Sequence, residues 1–313
     1  MTHRRRGPGV RLFFRDEYVY DAVEEGFRHT FDIERPRRIR DALISSGTVP
    51  PQDFEAPAAV SDEELLLVHT PQYLDQIRDP ATLARFLLLD PKRRWDQGLL
   101  DQFRYASGGT LAAARAAAFE GAWGVNLGGG FHHAQADKAE GFCAIADVAV
   151  AIRCLRREGF AGRILVVDLD YHHGNGNALI FAGDETVFTF SMHNVPWCFI
   201  DKRNNRDVEI PAQADDETYL SLLRPVLPKI VAEFRPALAF YLAGSDPFIE
   251  DTLGDCAMSE AGLLERDRFV TSTLGAAGVP MVVVTAGGYG PSSWRIYYNY
   301  FRWLVTSAAE ARA

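Results

Sequence analysis

The sequence lacks several features that would assign it to a common class of protein. Its 313 residues include only four cysteines, Cys143, Cys154, Cys198 and Cys256, and no two of them are spaced as a CxxC pair. This argues against a thiolate zinc site or a disulfide framework and favours a cytoplasmic protein. No apolar run approaches the roughly 20 residues that span a bilayer, and the basic first nine residues lack the apolar stretch of a secretory signal.

Positive charge is also in deficit. Lysine and arginine number 33 against 42 aspartates and glutamates, which gives a formal net charge of −9. A general nucleic-acid binder needs a basic surface to release counterions, so we expect no direct nucleic-acid binding. No repeat, low-complexity tract or linker interrupts the chain, and we predict one domain over residues 1–313. The sequence does not predict an oligomeric state.

The chain does contain apolar strands that alternate with helices. We predict strands at 123–127, 163–168, 186–192, 237–243 and 279–285, and helices at 97–121, 144–158, 216–233 and after Ser259. Such spacing is typical of an α/β fold with a mainly parallel sheet and helices on both faces. A capping box at Ser61 and the pair Thr70-Pro71 predict two further helix starts. Pro225 and Pro228 are expected to interrupt the 216–233 helix.

The segment 164–177, ILVVDLDYHHGNGN, is the most informative stretch. Its apolar start predicts a strand buried on both faces, and its end predicts a turn rich in glycine and asparagine. On a strand, Asp168, Asp170 and His172 would share one side, which an apolar core would not accept without a cation. A divalent metal is the economical answer, because one ion can satisfy both a carboxylate and an imidazole.

Residues suited to catalysis follow four of the predicted strands. They are His132-His133 after three glycines, Asp168-Asp170-His172, Asp246, and Gly288-Tyr289. Ligands of parallel sheets bind beyond the carboxyl ends of the strands, so we expect one shared site. Each residue alone would more often be structural. Together, a metal, a histidine base and a phenol that donates to an oxyanion indicate amide hydrolysis through a tetrahedral intermediate.

Four segments of the chain resemble the motifs of the histone deacetylase family. They are GGGFHHAQADKAEGFC, DLDYHHGNGN, AGSDPFIEDTLG and TAGGYG, they occur in the family's order, and the resemblance covers nearly the whole chain. The wording of NLGGGFHHA, GNGN and VVVTAGGY is most similar to the class IV branch and its bacterial relatives. The resemblance implies a zinc-dependent deacylase with the arginase/deacetylase α/β fold.

The resemblance also implies roles for individual residues. These are Asp170, His172 and Asp246 as ligands of one Zn²⁺; His132, His133 and Tyr289 as catalytic residues; Asp168 and Asn175 as partners behind His132 and His133; Gly141, Phe142 and Gly288 in the substrate channel; and Asp168, Asp170, His172, Ser191 and Met192 around a possible K⁺. Binuclear relatives of the arginase type carry further carboxylates at the positions of Gly174 and Phe248, so one Zn²⁺ is expected. His133 would be the general base and then the acid, while His132 stays mainly electrostatic.

One departure from the family concerns Asn175, where many members have Asp. A carboxylate would stabilise a charged imidazole, whereas an amide mainly orients it, so we expect a lower pKa for His133. The substrate remains open at this point. Acyl-lysine in a peptide or protein is the first interpretation, with an acetyl or longer acyl group. Acetylpolyamines or other small cationic amides are the alternative, and a non-catalytic metal-dependent acyl sensor is a third.

Overall fold

The computed structural model describes residues 9–20, 31–90, 93–200 and 202–312. The basic start of the chain, residues 1–8, lies outside the described residues. Eight strands form one sheet: β1 (Val10–Phe13), β2 (Phe54–Glu55), β3 (Trp123–Asn126), β4 (Ile164–Asp168), β5 (Val187–His193), β6 (Asn205–Glu209), β7 (Leu238–Leu242) and β8 (Met281–Val284). Their order is β2-β1-β3-β8-β7-β4-β5-β6, and every neighbouring pair is parallel.

Helices connect the strands and cover the sheet. They are α1 (Arg35–Ser45), α2 (Asp62–Leu65), α3 (Pro71–Ile77), α4 (Pro80–Phe86), α5 (Gly98–Glu120), α6 (Asp147–Arg157), α7 (Asn175–Ile180), α8 (Asp216–Phe234), α9 (Glu260–Ala276) and α10 (Ser293–Arg312). The predicted α/β fold with a parallel sheet is confirmed. Among the described residues, no helix is both long and apolar enough to cross a membrane.

Strand β4 shows why the sheet is covered on both faces. Its five residues are all buried, as the apolar run predicted. Ile164 and Val166 pack into a core with α5 and α6, whereas Leu165 and Val167 pack into a second core with α8, α9 and α10. Alternate side chains of a strand point to opposite faces, so an unbroken apolar run supplies both cores.

Local signals placed several helix ends correctly. Ser61 makes both hydrogen bonds of the capping box at α2, and Thr70 accepts a hydrogen bond from the backbone of Tyr73 at α3. Ser259 caps α9 in the same way, through the backbone N–H of Gly262. These caps use only neighbouring residues, which is why the sequence identifies them.

Two local predictions are wrong. Helix α8 runs through Pro225 and Pro228 without a break, because both prolines are exposed and water can reach the carbonyl groups that they leave unpaired. The predicted turn at the end of segment 164–177 is instead the start of α7 at Asn175. Two of its first backbone N–H groups donate to the carbonyl of His132, a contact from elsewhere in the chain.

The order of the strands decides where the site lies. The strands followed by the catalytic candidates are β3, β8, β7 and β4, and they are consecutive neighbours in the middle of the sheet. Their carboxyl ends therefore lie next to each other on one side of the sheet. The sequence did not predict β2 or β6, which lie at the two edges of the sheet; β6 has the polar sequence NRDVE.

Candidate active site

Asp170, His172 and Asp246 lie together beyond the carboxyl ends of β4 and β7. One candidate ligand atom from each falls within 4.8 Å of the other two. His172 Nδ1 is 3.2 Å from an Asp170 oxygen and 2.9 Å from an Asp246 oxygen. Strand β4 ends at Asp168, so a loop rather than strand alternation brings Asp170 and His172 to this point.

The electrostatics of this group favour a bound cation. Asp170 and Asp246 are fully buried, and burial together with the neighbouring Asp170 carboxylate raises the pKa of Asp246. Burial alone would lower the pKa of His172, but its hydrogen bonds to both carboxylates raise it to about 10. Two carboxylates and one imidazole are ligands that Zn²⁺ accepts, and three protein ligands are typical of a catalytic zinc site. The residues therefore fit the predicted ion.

Gly287 brings backbone against the same group. Its N–H donates to Asp170 Oδ2 over 2.7 Å. A Cβ atom at this position would lie 2.4 Å from that oxygen and 2.7 Å from Asp246 Oδ2, closer than a Cβ atom normally approaches an oxygen. Only glycine fits here, which gives one of the paired glycines before Tyr289 a physical reason.

The two adjacent histidines have different partners. His132 Nδ1 lies 2.8 Å from Asp168 Oδ2, and His133 Nδ1 lies 2.7 Å from Asn175 Oδ1. The two rings are 4.0 Å apart between centroids and tilted by 44°. Both histidines are almost completely buried. The structure thus brings each histidine to the partner expected from the sequence.

These partners move the two histidine pKa values in opposite directions. Burial alone would lower the pKa of His132, but the carboxylates of Asp168 and Asp170 outweigh it and raise the pKa to about 9. Burial and the nearby charge of His132 lower the pKa of His133 well below its usual value, and Asn175 offsets this only in part. Pairs of titratable groups with opposed shifts are typical of acid–base sites.

Tyr289 faces the candidate ligands from the loop after β8. Its ring meets the ring of His172 edge to face, with centroids 5.8 Å apart. Burial and the nearby carboxylates of Asp170 and Asp246 raise the pKa of Tyr289 well above its usual value, so the phenol keeps its proton. Its backbone N–H donates to Asp251 Oδ2 over 2.7 Å, which fixes the turn.

Gly141 and Phe142 are the central residues of a tight turn. Both have positive φ, 54° and 63°, as in a type I′ turn. A Cβ on Gly141 would lie 2.1 Å from the ring of His133, so glycine is required there. The turn directs the Phe142 ring toward Tyr289, with centroids 6.1 Å apart. Gly288 instead packs against Ser245, where a Cβ would lie 2.1 Å from Oγ.

An apolar cavity adjoins these residues. Its lining joins the site at His132, Gly141, Phe142 and Tyr289 and continues through Tyr20, Phe31, Ile33, Leu87, Leu89, Trp95, Leu99, Phe103 and Phe131. Gly287 also lines it, whereas Gly288 does not. Its free volume is about 110 Å³, whereas a single water site needs roughly 10–15 Å³.

Of the residues predicted around potassium, Asp168, Ser191 and Met192 lie toward the carboxyl ends of β4 and β5, and Asp170 and His172 follow in the loop after β4. Asp168 and Ser191 are direct neighbours across these strands, and Met192 follows on β5. Ser191 Oγ accepts a hydrogen bond from the Gly174 N–H over 3.3 Å. The residues are therefore adjacent, and K⁺ binding stays a prediction.

Trp197 is a residue that the sequence did not identify. Its ring stacks on the ring of His133, with centroids 3.9 Å apart and an angle of 3° between the planes. Its backbone N–H donates to His173 Nδ1 over 3.0 Å. His173, which received no catalytic role, thus anchors the loop that covers His133. An aromatic residue shortly after β5 was the only available signal.

A second group of potential ligand atoms lies in His173, His193 and Asp207. Because His173 Nδ1 accepts a hydrogen bond, a neutral ring carries its proton on Nε2. That nitrogen lies 3.6 Å from Asp207 Oδ1. This distance is an ion-pair contact rather than a hydrogen bond, and we assign no ion to this group.

Two further charged residues support the site. Arg35 is buried and donates to the carbonyls of Ala286, Gly287 and Gly288. The other three arginines of the run RPRRIR are at least partly exposed, so the sequence did not distinguish Arg35 from them. Glu140 accepts a hydrogen bond from Asn175 Nδ2 over 2.9 Å. It stands directly before the Gly-Phe turn, and that position was the signal that could have identified it.

Several known proteins are similar to this chain. The model of the histone deacetylase domain family matches residues 29–302. An uncharacterised protein of Picosynechococcus is 36% identical over 297 residues, covering 93% of this chain and 96% of that protein. Histone deacetylase 2 of Arabidopsis thaliana is 33% identical, covering 86% of this chain and 71% of its own. The crystal structure of the HDA15 HD domain has the same fold, with a TM-score of 0.80 at 22% identity over 97% of this chain and 90% of that one.

Proposed function

The chain belongs to the histone deacetylase family, and we propose that it is a zinc-dependent hydrolase that removes acetyl or longer acyl groups from lysine side chains. One observation carries this proposal. A buried group of two carboxylates and an imidazole lies beside two histidines with opposed pKa shifts and a protonated tyrosine. Metal, base and oxyanion donor are the components that hydrolysis of an amide requires.

Asp170, His172 and Asp246 would hold one Zn²⁺. Bound there, the ion would polarise the acyl carbonyl and acidify a water molecule. The Gly287 N–H keeps one Asp170 oxygen oriented. Where a second metal would need a carboxylate, Phe248 is buried in the apolar core, which supports a single ion. K⁺ near Asp168 and Ser191 would stabilise the negative charge at the end of β4.

His133 is suited to be the base because its lowered pKa keeps it neutral near pH 7. It would take a proton from the attacking water at Nε2, since Nδ1 is hydrogen-bonded to Asn175. The same proton would then pass to the departing lysine nitrogen. His132, held in its cationic form by Asp168, would contribute charge rather than exchange a proton.

Tyr289 is suited to stabilise the tetrahedral intermediate. Its raised pKa keeps the phenol neutral, so it can donate a hydrogen bond as the acyl oxygen becomes negative. Loss of one such donor costs about 3 kcal/mol in other enzymes. Arg35 donates hydrogen bonds to the carbonyls of Ala286 and Gly287 and so stabilises the backbone that leads to Tyr289.

The apolar cavity supports acyl groups longer than acetyl. It begins at Phe142 and Tyr289 and has apolar walls from Leu99 and Phe103. Burial of each methylene contributes about 0.8 kcal/mol, so such a cavity favours a longer chain. We also propose that the chain folds as one domain, because one sheet includes strands from Val10 to Val284. Motif wording supports placement nearest the class IV branch.

A single substrate panel tests the proposal. Acetyl-, butyryl-, octanoyl- and myristoyl-lysine peptides would be compared with acetylpolyamines, before and after chelation and with Zn²⁺ restored. We expect turnover of lysine peptides that disappears with chelation and returns with zinc. Turnover of acetylpolyamines alone would assign a small-amide deacetylase instead. Binding of acyl-lysine without product release by the zinc-loaded protein would indicate a sensor.

A further inference from the structure

The environment of Asn175 contains a feature that the proposed reaction does not yet explain. Asn175 Oδ1 lies 2.7 Å from His133 Nδ1, and Asn175 Nδ2 donates to Glu140 Oε2 over 2.9 Å. The carboxylate that many relatives place next to this histidine is therefore present here, but one residue further away. Asn175 is almost completely buried between the two groups.

Glu140 is held as a carboxylate by its own donors. Gln135 Nε2 donates to Oε2 over 2.9 Å, and Lys138 Nζ donates to Oε1 over 2.6 Å. Partial burial alone would raise the pKa of Glu140, but the hydrogen bonds from Lys138, Asn175 and Gln135 together lower it. An ionised carboxylate only accepts hydrogen bonds. The side of Asn175 that faces it must therefore be the NH₂ group.

This constraint decides the state of the histidine. With its NH₂ group toward Glu140, Asn175 presents its oxygen to His133, which must then carry a proton on Nδ1. The lone pair is left on Nε2. If the amide were reversed, its NH₂ group would face Nδ1, the proton would move to Nε2, and the neutral ring could not accept a proton there. An amide partner thus needs something to orient it, whereas a carboxylate partner does not.

We propose that Glu140 is a positioning residue that orients the Asn175 amide and thereby selects the tautomer in which His133 can act as a base. This inference rests on the proposed function of His133 and adds a residue to it. Glu140 is hydrogen-bonded to Gln135, Lys138 and Asn175, and it acts on His133 through Asn175.

The decisive test is a double-mutant cycle. Glu140→Ala in the natural chain should lower kcat about tenfold or more with little change in KM, because general base catalysis is worth about 10²–10⁴ in rate. In a chain that carries Asn175→Asp, either carboxylate oxygen accepts from His133 and Glu140 becomes a repulsive neighbour. Adding Glu140→Ala there should leave kcat unchanged or raise it. An equal loss in both backgrounds would mean that Glu140 only supports the loop, and would overturn the proposal.

Two further variants calibrate the cycle. Glu140→Gln keeps an oxygen that can accept from Asn175, so it should lose less activity than Glu140→Ala. Glu158→Ala removes an exposed carboxylate that pairs with Arg115 over 2.6 Å. It lies between α6 and the amino end of β4, opposite the carboxyl ends that carry the site, and its loss should leave kcat unchanged. If Glu140→Gln were as impaired as Glu140→Ala while its Tm was unchanged, the orientation argument would fail.

A spectroscopic measurement separates this inference from the proposed reaction. Long-range ¹H–¹⁵N spectra of the zinc-loaded, histidine-labelled protein report which ring nitrogen carries the proton. With eight histidines in the chain, the His133→Gln spectrum assigns the signals. We expect the Nδ1–H tautomer in the natural chain and loss of that single tautomer in Glu140→Ala. An unchanged tautomer would overturn the proposal, even if no amide substrate were hydrolysed.

Discussion

His132 and His133 are adjacent in the chain, but their surroundings are very different. His132 lies against the end of β4, where Asp168 is part of the sheet and its carboxylate raises the pKa of His132. His133 lies between a neutral amide at the start of α7 and the ring of Trp197 on a loop. The sheet therefore supplies a fixed charge to one histidine, whereas the helix and loop supply orientation and burial to the other. This difference divides the roles of cation and base.

The largest expected effect comes from removing each histidine in turn. His133→Ala should lower kcat about 10³-fold, because a positioned general base is worth about 10²–10⁴. His132→Ala removes only a neighbouring charge and should cost at least tenfold less. Rates would be measured with the best acyl-lysine peptide at saturating substrate.

The control for this comparison is Lys229→Ala, on the exposed surface of α8, which should keep full activity. Thermal unfolding of all three variants would show that they fold. An equal or greater loss in His132→Ala would reverse the assignment of the two histidines.

A smaller effect is expected when His133, like His132, is given a carboxylate partner. Asn175→Asp places a carboxylate behind His133 and should raise its pKa by about one unit. The neutral base is lost as pH falls through this pKa, so the acid limb of the kcat profile should move to higher pH. The profile is measured from about pH 5 to 9.

Adding Glu140→Ala to Asn175→Asp serves as the comparison variant, because it removes repulsion between the two carboxylates. The Glu140 carboxylate also stabilises a protonated His133, so the upward shift of the His133 pKa should be smaller in the double variant but should remain. An acid limb that coincides with that of the natural chain in both variants would contradict the proposed role of Asn175.

The smallest effect should follow loss of the tryptophan ring. Burial is the largest cause of the lowered pKa of His133, and Trp197 covers one face of its ring. Trp197→Ala admits water, so the pKa should move back toward its usual value and the acid limb should shift upward by less than in Asn175→Asp. Phe199→Ala, on the same loop and 87% exposed, should leave the profile unchanged. If the natural chain, Trp197→Ala and Phe199→Ala had the same pH profile, Trp197 would not contribute to the lowered pKa of His133.

Much of the fold could be predicted because its signals are local. The apolar run of β4, the caps at Ser61 and Thr70, and the alternation of strands and helices all depend on residues close together in the chain. The failures have tertiary causes. Helix α8 tolerates its prolines because they face solvent, and α7 begins where it does because the carbonyl of His132 receives its first N–H groups.

The candidate site shows the same division. Its residue types and their order along the chain predicted the two carboxylates, the three histidines and Tyr289. Three supporting residues, Arg35, Glu140 and Trp197, were missed. Arg35 resembled its arginine neighbours, Glu140 lies within a family segment without a role that the resemblance implied, and Trp197 lies outside the four segments. Their importance comes from the groups that they contact in the folded chain.

By itself, the sequence determined the parallel α/β architecture and the set of groups that ends its strands. Periodicity and helix capping depend on residues a few positions apart, and the chemical groups available to the site follow directly from the residue types. Only the tertiary structure decided that β3, β8, β7 and β4 are neighbours, and which charge stands behind which histidine. A pKa and a tautomer depend on distances of a few ångströms between segments far apart in sequence, and folding alone sets those distances.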